Sequence, residues 1–301
     1  MRAWEALKRM VRGHAASLRP ALQLIRYPGS DFKILDRLLE VLAREGAGMA
    51  GFVEVFGGSG ITTYSVAGRG MFRVAVYNEL NDLIADTFAA IRENPDEVAA
   101  RLMLMPCSRA WWERVRDAIH TMEILRWDRY ERAAAVILYH RLSYGGTAGR
   151  RKASFVKTYI YDSGLVRSYC LDMQGVVATV FEWARVWRRV AIERRDFRFV
   201  VEEYDSAATL FYCDPPYIHP RHRDYYMLGF DEGDMRELLE MLAAIRGRFV
   251  LKLTADNLEY GFIRRFVERH RAERVPYASA VHHGRNKGEK REVLLVSGPR
   301  R

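Results

Sequence analysis

Apolar positions recur at helical spacing along much of this chain, and short apolar runs ending in glycine, asparagine or proline interrupt them. Residues 31–45 place Ile34, Leu35, Leu38, Leu39 and Leu42 on one face, which predicts an amphipathic helix that Gly46 and Gly48 end. Phe52 to Phe56 then form a compact run, closed by Gly57-Gly58-Ser59-Gly60. That pattern predicts a buried strand entering a tight turn. A second strand is predicted from Phe72 to Tyr77, followed by Asn78-Glu79 and a helix over Asp82–Arg92 that Asn94-Pro95 interrupts.

From about residue 96 to 145 the pattern is almost wholly helical, with Trp111, Trp112 and Trp127 set among arginines. Tyr144 to Lys157 lacks periodicity and reads as an irregular basic loop. A long helix is predicted from Met173 to Arg189, then strands at Phe197–Val201, Thr209–Cys213, Phe249–Leu253, Val275–Ala280 and Val293–Ser297. Helices fit between several of them, at Glu232–Arg246 and Leu258–His270. Strands alternating with helices predict an α/β fold: a doubly wound, mostly parallel, Rossmann-like sheet with helices on both faces. The last two strands flank the polar stretch His282 to Lys290, which predicts a hairpin at one end of that sheet.

Composition narrows the class. The 301 residues are 49% hydrophobic and 29% charged, a globular balance. No run approaches the roughly 18 apolar residues of a membrane span, and Met1 to Arg12 lacks the apolar stretch of a secretory signal, so a cytoplasmic protein with no membrane partner is expected. The three cysteines, Cys107, Cys170 and Cys213, lie far apart; neither a disulfide framework nor a metal site is expected. Lys and Arg outnumber Asp and Glu by 48 to 38, a formal charge of +10 that suits either a polyanionic partner or solubility alone.

Three segments carry chemistry. Leu210 to Tyr217 is an apolar strand that ends in Asp214-Pro215-Pro216-Tyr217, where open α/β sheets bind their ligands. Two prolines fix φ, so one carboxylate and one backbone carbonyl can be aimed at the same small group. An exocyclic aromatic amine fits: two acceptors hold its two hydrogens and favour a more tetrahedral nitrogen. A polar cap before a Pro-Pro turn is the competing explanation. The glycine turn after Glu54-Val55-Phe56 lets a ligand approach the backbone closely, or is a plain strand-to-helix turn. Glu79, about 20 residues further on, is placed to bind two ribose hydroxyls, with helix capping by Asn78 as the alternative. Together the three describe a nucleoside cofactor beside an amine substrate.

In this order the motifs resemble the Dam-like family of DNA adenine-N6 methyltransferases, from about Tyr27 to the C-terminus. The resemblance implies S-adenosyl-L-methionine as cofactor, double-stranded DNA as partner, base flipping, and site-specific, adenine-specific DNA methylation, as in restriction-modification. It implies a catalytic domain over residues 1–88 and 172–301 and a helical target-recognition insertion over 89–171. Glu54, Phe56, Gly57, Gly58, Ser59 and Gly60 are similar to the family's cofactor turn, and Glu79 stands where its ribose acid is usually Asp. Asp196 and Phe197 resemble its adenine-holding pair; Asp214, Pro215, Pro216 and Tyr217 match its catalytic tetrapeptide, Asp214 also facing the cofactor. Family members carry aromatic-x-Gly-Gly-Lys near the start; here it is Tyr27-Pro28-Gly29-Ser30, with Lys33 displaced.

His140-Arg141-Leu142-Ser143-Tyr144-Gly145-Gly146 resembles the stretch that leads into the family's DNA-contacting loop. DNA contacts are therefore expected from Arg141, Tyr144, Arg150, Arg151, Lys152 and Lys157, and from Arg221 and Arg223 after the tetrapeptide. A solvated charged loop is the alternative. The tryptophans are expected in the core and His282-His283 on the surface. Methylation of cytosine N4, an RNA substrate, or a catalytically silent DNA-binding protein on the same fold remain open, as does the oligomeric state, a monomer included.

Overall fold

The computed structural model describes residues 2–17, 23–27, 29–144, 153–156, 159–160, 166–167, 173–218, 229–278 and 290–298. In chain order the elements begin α1 (Arg2–Ala16), α2 (Leu35–Glu45), β1 (Gly51–Glu54), α3 (Ile61–Gly68), β2 (Val74–Asn78), α4 (Asp82–Glu93), α5 (Pro95–Leu104), α6 (Arg109–His120) and α7 (Arg129–Leu142). They continue β3 (Tyr159–Ile160), β4 (Val166–Arg167), α8 (Met173–Trp187), β5 (Val190–Glu193), α9 (Phe197–Tyr204) and β6 (Thr209–Cys213). The last are α10 (Glu232–Ala244), β7 (Arg248–Thr254), α11 (Gly261–Glu268), β8 (Arg271–Ala278) and β9 (Lys290–Gly298).

The chain divides into two compact units, Ser30–Asn81 with Arg189–Arg301, and Met1–Gly29 with Asp82–Arg188. The first unit holds a seven-stranded sheet of order β5-β2-β1-β6-β7-β9-β8. Its first five strands are parallel, and β9 joins them antiparallel with β8 outside it, the expected hairpin. From β1 the chain winds outward through β2 and β5; from β6 it winds the other way through β7. The strand order therefore reverses between β1 and β6, and at such a reversal open α/β sheets bind ligands beyond the carboxyl ends of their strands.

Side-chain alternation assigns the two faces. Val53, Val55, Val76, Phe211, Cys213, Phe249, Leu251 and Leu253 point into an apolar core shared with α9, α10 and α11. The intervening positions face the other way, among them Phe52, Glu54, Tyr212 and Lys252, and all four are buried. On that face lies the 3-10 turn Asp31–Lys33, which starts the predicted 31–45 helix and gives way to α2. One predicted strand is a helix: residues 197–201 open α9. Asp196 caps it by accepting from the Arg198 N–H, and Phe197, Val200 and Val201 are its buried face, an i, i+3, i+4 stripe. The strand beside β2 lies earlier, at Val190–Glu193.

In the second unit α7 is buried from Ala133 to Leu142, and α4, α5 and α6 pack on it. The boundaries fall at 81/82 and 188/189 rather than at the expected 88/89 and 171/172. The reason is packing: Phe88 on α4 stacks on Trp187 and Trp183 of α8 at 4.5 and 5.6 Å, so both helices belong to the helical unit throughout. Helix α1 joins them through Trp4, whose indole donates to Glu97 at 3.0 Å. Trp112, Trp183 and Trp187 lie in the core as expected, whereas Trp111 and Trp127 are half-buried under the Arg114 guanidinium. Cys107 is disulfide-bonded, against the sequence expectation, and Cys213 is free and buried. His282 and His283 lie outside the described residues.

Truncating Phe88 to alanine removes a fully buried ring from that stack and should cost about 3–5 kcal/mol. Urea denaturation checks this; a cost under about 1 kcal/mol would mean that α4 and α8 are not packed as described.

Candidate active site at the strand-order reversal

The glycine turn leaves β1 at this reversal. The Gly57 N–H donates to the Asn78 carbonyl at 2.7 Å, and a Cβ on Gly57 would lie 2.1 Å from the Tyr77 ring, so only glycine fits there. Gly60, at φ 69, is the left-handed residue that starts α3. Beneath the turn, Glu54 is buried and its Oε2 accepts from the Thr63 N–H at 3.0 Å and from the Thr63 hydroxyl, which ties β1 to α3. Its carboxylate thus braces the turn from below. Phe56 lies 5.7 Å from both Phe197 and Phe230, an aromatic cluster beside Asp196.

Glu79 follows β2 at the same end of the sheet. Its Oε2 accepts from the Gly58 N–H at 2.6 Å and its Oε1 from the Asn81 N–H at 2.8 Å. Burial raises its carboxyl above the ordinary range while those two amides oppose the shift. Each oxygen keeps lone-pair capacity for a further donor. Asn78 does not cap a helix; its side chain spans Val55, to which it donates, and the Arg195 backbone, with which it exchanges two bonds. Ser59 shares a 3.1 Å hydrogen bond with Ser30, just before the Asp31–Lys33 turn.

Asp214 emerges from β6 on the neighbouring strand. The Lys252 ammonium on β7 sits 2.6 Å from Asp214 Oδ2 and 2.6 Å from Asp31 Oδ1. Asp31 Oδ2 accepts from Thr62 and from the Tyr212 hydroxyl, each at 2.8 Å. Burial pushes the Asp214 carboxyl up, to about 7; Lys252 pulls it down and the Asp31 charge adds to the rise. The two carboxylates hold Lys252 charged despite burial, well above its ordinary value. Pro215 is buried, and Pro216 and Tyr217 are half-buried beside it. Burial likewise raises the Tyr217 phenol.

Tyr27 belongs to the helical unit, where it stacks on His140 at 6.0 Å. Burial lowers His140 to about 4, so its ring is neutral and pairs with the Arg26 carbonyl at 3.0 Å. Arg141, expected on DNA, is buried, and its guanidinium donates to the Gln23 carbonyl at 2.9 Å. Tyr144 is exposed, and its N–H donates to the Ser154 carbonyl at 2.8 Å, pairing the two flanks of the basic segment. Arg150, Arg151, Lys152, Lys157, Arg221 and Arg223 lie outside the described residues. Lys33 points over the Tyr277 ring, 6.0 Å away.

Asp31, Tyr212, Lys252 and Phe230 were not singled out in the sequence. Lys252 carried a usable signal: a lysine inside the apolar run Phe249–Leu253, on a strand buried on both faces, requires buried partners. Asp31 gave none, because a polar residue before a helix reads as a cap. Among the described residues no cluster of His, Cys, Asp and Glu has metal-holding geometry, and no helix is long and apolar enough to cross a membrane.

Glu54 gives a prediction with a definite sign. Burial, its largest influence, raises its carboxyl well above 4.5 in the folded chain. The folded state then holds that proton more tightly than the unfolded state, so Glu54's contribution to stability declines as pH rises above 4.5 toward the folded value. Glu54→Gln should gain stability relative to wild type as pH rises above 4.5, read by urea denaturation across pH. A difference independent of pH would contradict a raised Glu54 carboxyl.

A family model described as D12 class N6 adenine-specific DNA methyltransferase matches residues 27–280. No curated protein matches the chain. The matched span takes in the glycine turn, Glu79, the Asp214–Tyr217 strand end and Lys252, and covers well over half of the sequence. The chain belongs to the D12 class of N6 adenine-specific DNA methyltransferases, and is an adenine-specific DNA methyltransferase.

Proposed function

We propose that the chain transfers a methyl group from S-adenosylmethionine to N6 of adenine at a specific site in double-stranded DNA, with the target base turned out of the helix. One observation carries this reading: Asp214 ends β6 with its carboxylate fastened through one oxygen, next to the strand whose glycine turn is faced by Glu79.

The residues present fit the cofactor. Glu79 offers two fixed oxygens to a ribose diol, the Gly57–Gly60 turn admits a close backbone approach, and Phe56, Phe197 and Asp196 suit an adenine ring and its polar edge. Glu54 braces the turn from below. Bound there, S-adenosylmethionine supplies an electrophilic methyl on a sulfonium. Asp214 and the Pro215 carbonyl accept the two hydrogens of the substrate amine, localising the nitrogen lone pair that would form the new N–C bond as the methyl–sulfur bond breaks and its electron pair stays on sulfur as a neutral thioether. The carboxylate then faces the positive charge that develops on nitrogen, and takes up the proton the nitrogen sheds. Tyr217 stacks on the extruded base. Tyr144 and the basic residues Arg150, Arg151, Lys152, Lys157, Arg221 and Arg223 contact phosphates.

Labelled methyl transfer to mixed-sequence duplex DNA, followed by nucleoside mass analysis, tests the reading. Wild type should yield N6-methyladenine, and Asp214→Ala should lose about 10²–10³-fold or more in rate with cofactor affinity largely intact by calorimetry. N4-methylcytosine, or no label in DNA despite cofactor binding, would overturn it. Because the amine needs an ionised acceptor and Asp214 titrates at about 7, kcat/KM should fall about tenfold for each pH unit below that point. A flat profile down to about pH 5 would show that Asp214 is ionised throughout or does not accept the amine.

A further inference from the structure

We propose that Lys252 and Asp31 form a positioning pair that fastens Asp214 through Oδ2 and leaves Oδ1 as the oxygen that takes the substrate amine. The inference rests on the methyltransferase reading above and extends it to two residues that touch neither substrate nor cofactor in that reading.

Geometry is the first support. The lysine is 4% exposed and bridges two carboxylates, at 2.6 Å each, from a strand adjacent to β6. Asp31 is held in turn from three elements: α3 through Thr62, β6 through Tyr212 and β7 through Lys252. The ammonium therefore cannot swing without breaking a buried ion pair, a rupture that is strongly destabilising. Among the described residues, Asp214 Oδ1 accepts no hydrogen bond, while Oδ2 is occupied by Lys252. The carboxylate is anchored on one side and open on the other.

Charge is the second support. The groups facing Asp214 are Lys252 on β7, Asp31 on the 3-10 turn, Tyr212 and Tyr217 on and after β6, Glu54 on β1, and Tyr277 on β8 by way of Tyr217. Lys252 is the one ammonium set against two carboxylate side chains, Asp31 and Asp214, at 2.6 Å each. An amine that gains a methyl from a sulfonium becomes positive before it sheds a proton. A site with two carboxylate side chains and one ammonium favours that charge, and the lysine holds Asp214 facing it.

The pair predicts opposite effects on Asp214 from two neighbours. Removing the cation in Lys252→Met should raise the midpoint of the Asp214 carboxyl by about one pH unit or more; removing the negative charge in Asp31→Asn should lower it. Carbon-13 NMR of the labelled carboxyl in the unliganded, full-length protein reads both directly, independent of catalysis. In parallel, Lys252→Met should reduce kcat by about 100-fold with S-adenosylmethionine affinity within about threefold of wild type, and Lys252→Arg should recover part of the loss. If Lys252→Met does not fold, the double variant Lys252→Met with Asp31→Asn removes one charge of each sign, and its midpoint is compared with that of Asp31→Asn alone. Midpoints that do not move, or move in the same direction, overturn the pair even if wild type methylates adenine. Opposite shifts in a wild type that makes no N6-methyladenine overturn the amine-acceptor reading instead, because the electrostatics would be present without the reaction.

Discussion

The ammonium of Lys252 is the point on which the candidate site turns. A lysine inside a strand that is buried on both faces is tolerated only with partners, and it finds two carboxylates at 2.6 Å. One of them, Asp31, belongs to the segment just before α2; the other, Asp214, ends the central strand β6. A single buried cation thus ties the start of this unit to the strand end that carries the proposed chemistry. Phe52, Leu210 and Val250, fully buried at alternating positions on the same face as Lys252, give the low-polarity setting in which such pairing is strong.

Strand order does the rest of the placing. The glycine turn follows β1, Glu79 follows β2 and Asp214 follows β6, so three segments distant in sequence converge at one edge because all three strands run parallel. The register pairs Glu54 with both Tyr77 and Tyr212, which levels those strand ends to within a residue. Asn78 adds a tie to the backbone at Arg195, holding the turn before Asp196 against the end of β2.

Much of this was legible in the sequence, for identifiable reasons. Strand β6 was read to the residue, Thr209–Cys213, because an unbroken apolar run ends at Asp-Pro-Pro and proline stops a ladder cleanly. The terminal hairpin was legible from two apolar runs flanking a polar stretch. Helix α9 was misread as a strand because Phe197, Val200 and Val201 are aromatic or β-branched; the capping bond from Asp196 and the helical spacing of the buried face decide otherwise. The compact units begin and end elsewhere than residues 88 and 172 because helices α4 and α8 adhere through Phe88, Trp183 and Trp187, a long-range contact that no local pattern reveals. The bond from Arg141 to the Gln23 carbonyl joins positions 118 residues apart, which no local pattern reveals. The Asp31–Lys252–Asp214 cluster joins positions 31, 214 and 252, and only the fold brings them together.

In the proposed reaction the carboxylates of Glu79 and Asp214 serve two adjacent ligands, a nucleoside cofactor and an aromatic amine. A crystal structure with bound S-adenosylhomocysteine tests it most directly. The account predicts both ribose hydroxyls within hydrogen-bonding distance of Glu79, the adenine against Phe56 and Phe197, and the sulfur facing Asp214. A ribose held elsewhere, or a sulfur directed away from Asp214, would contradict it.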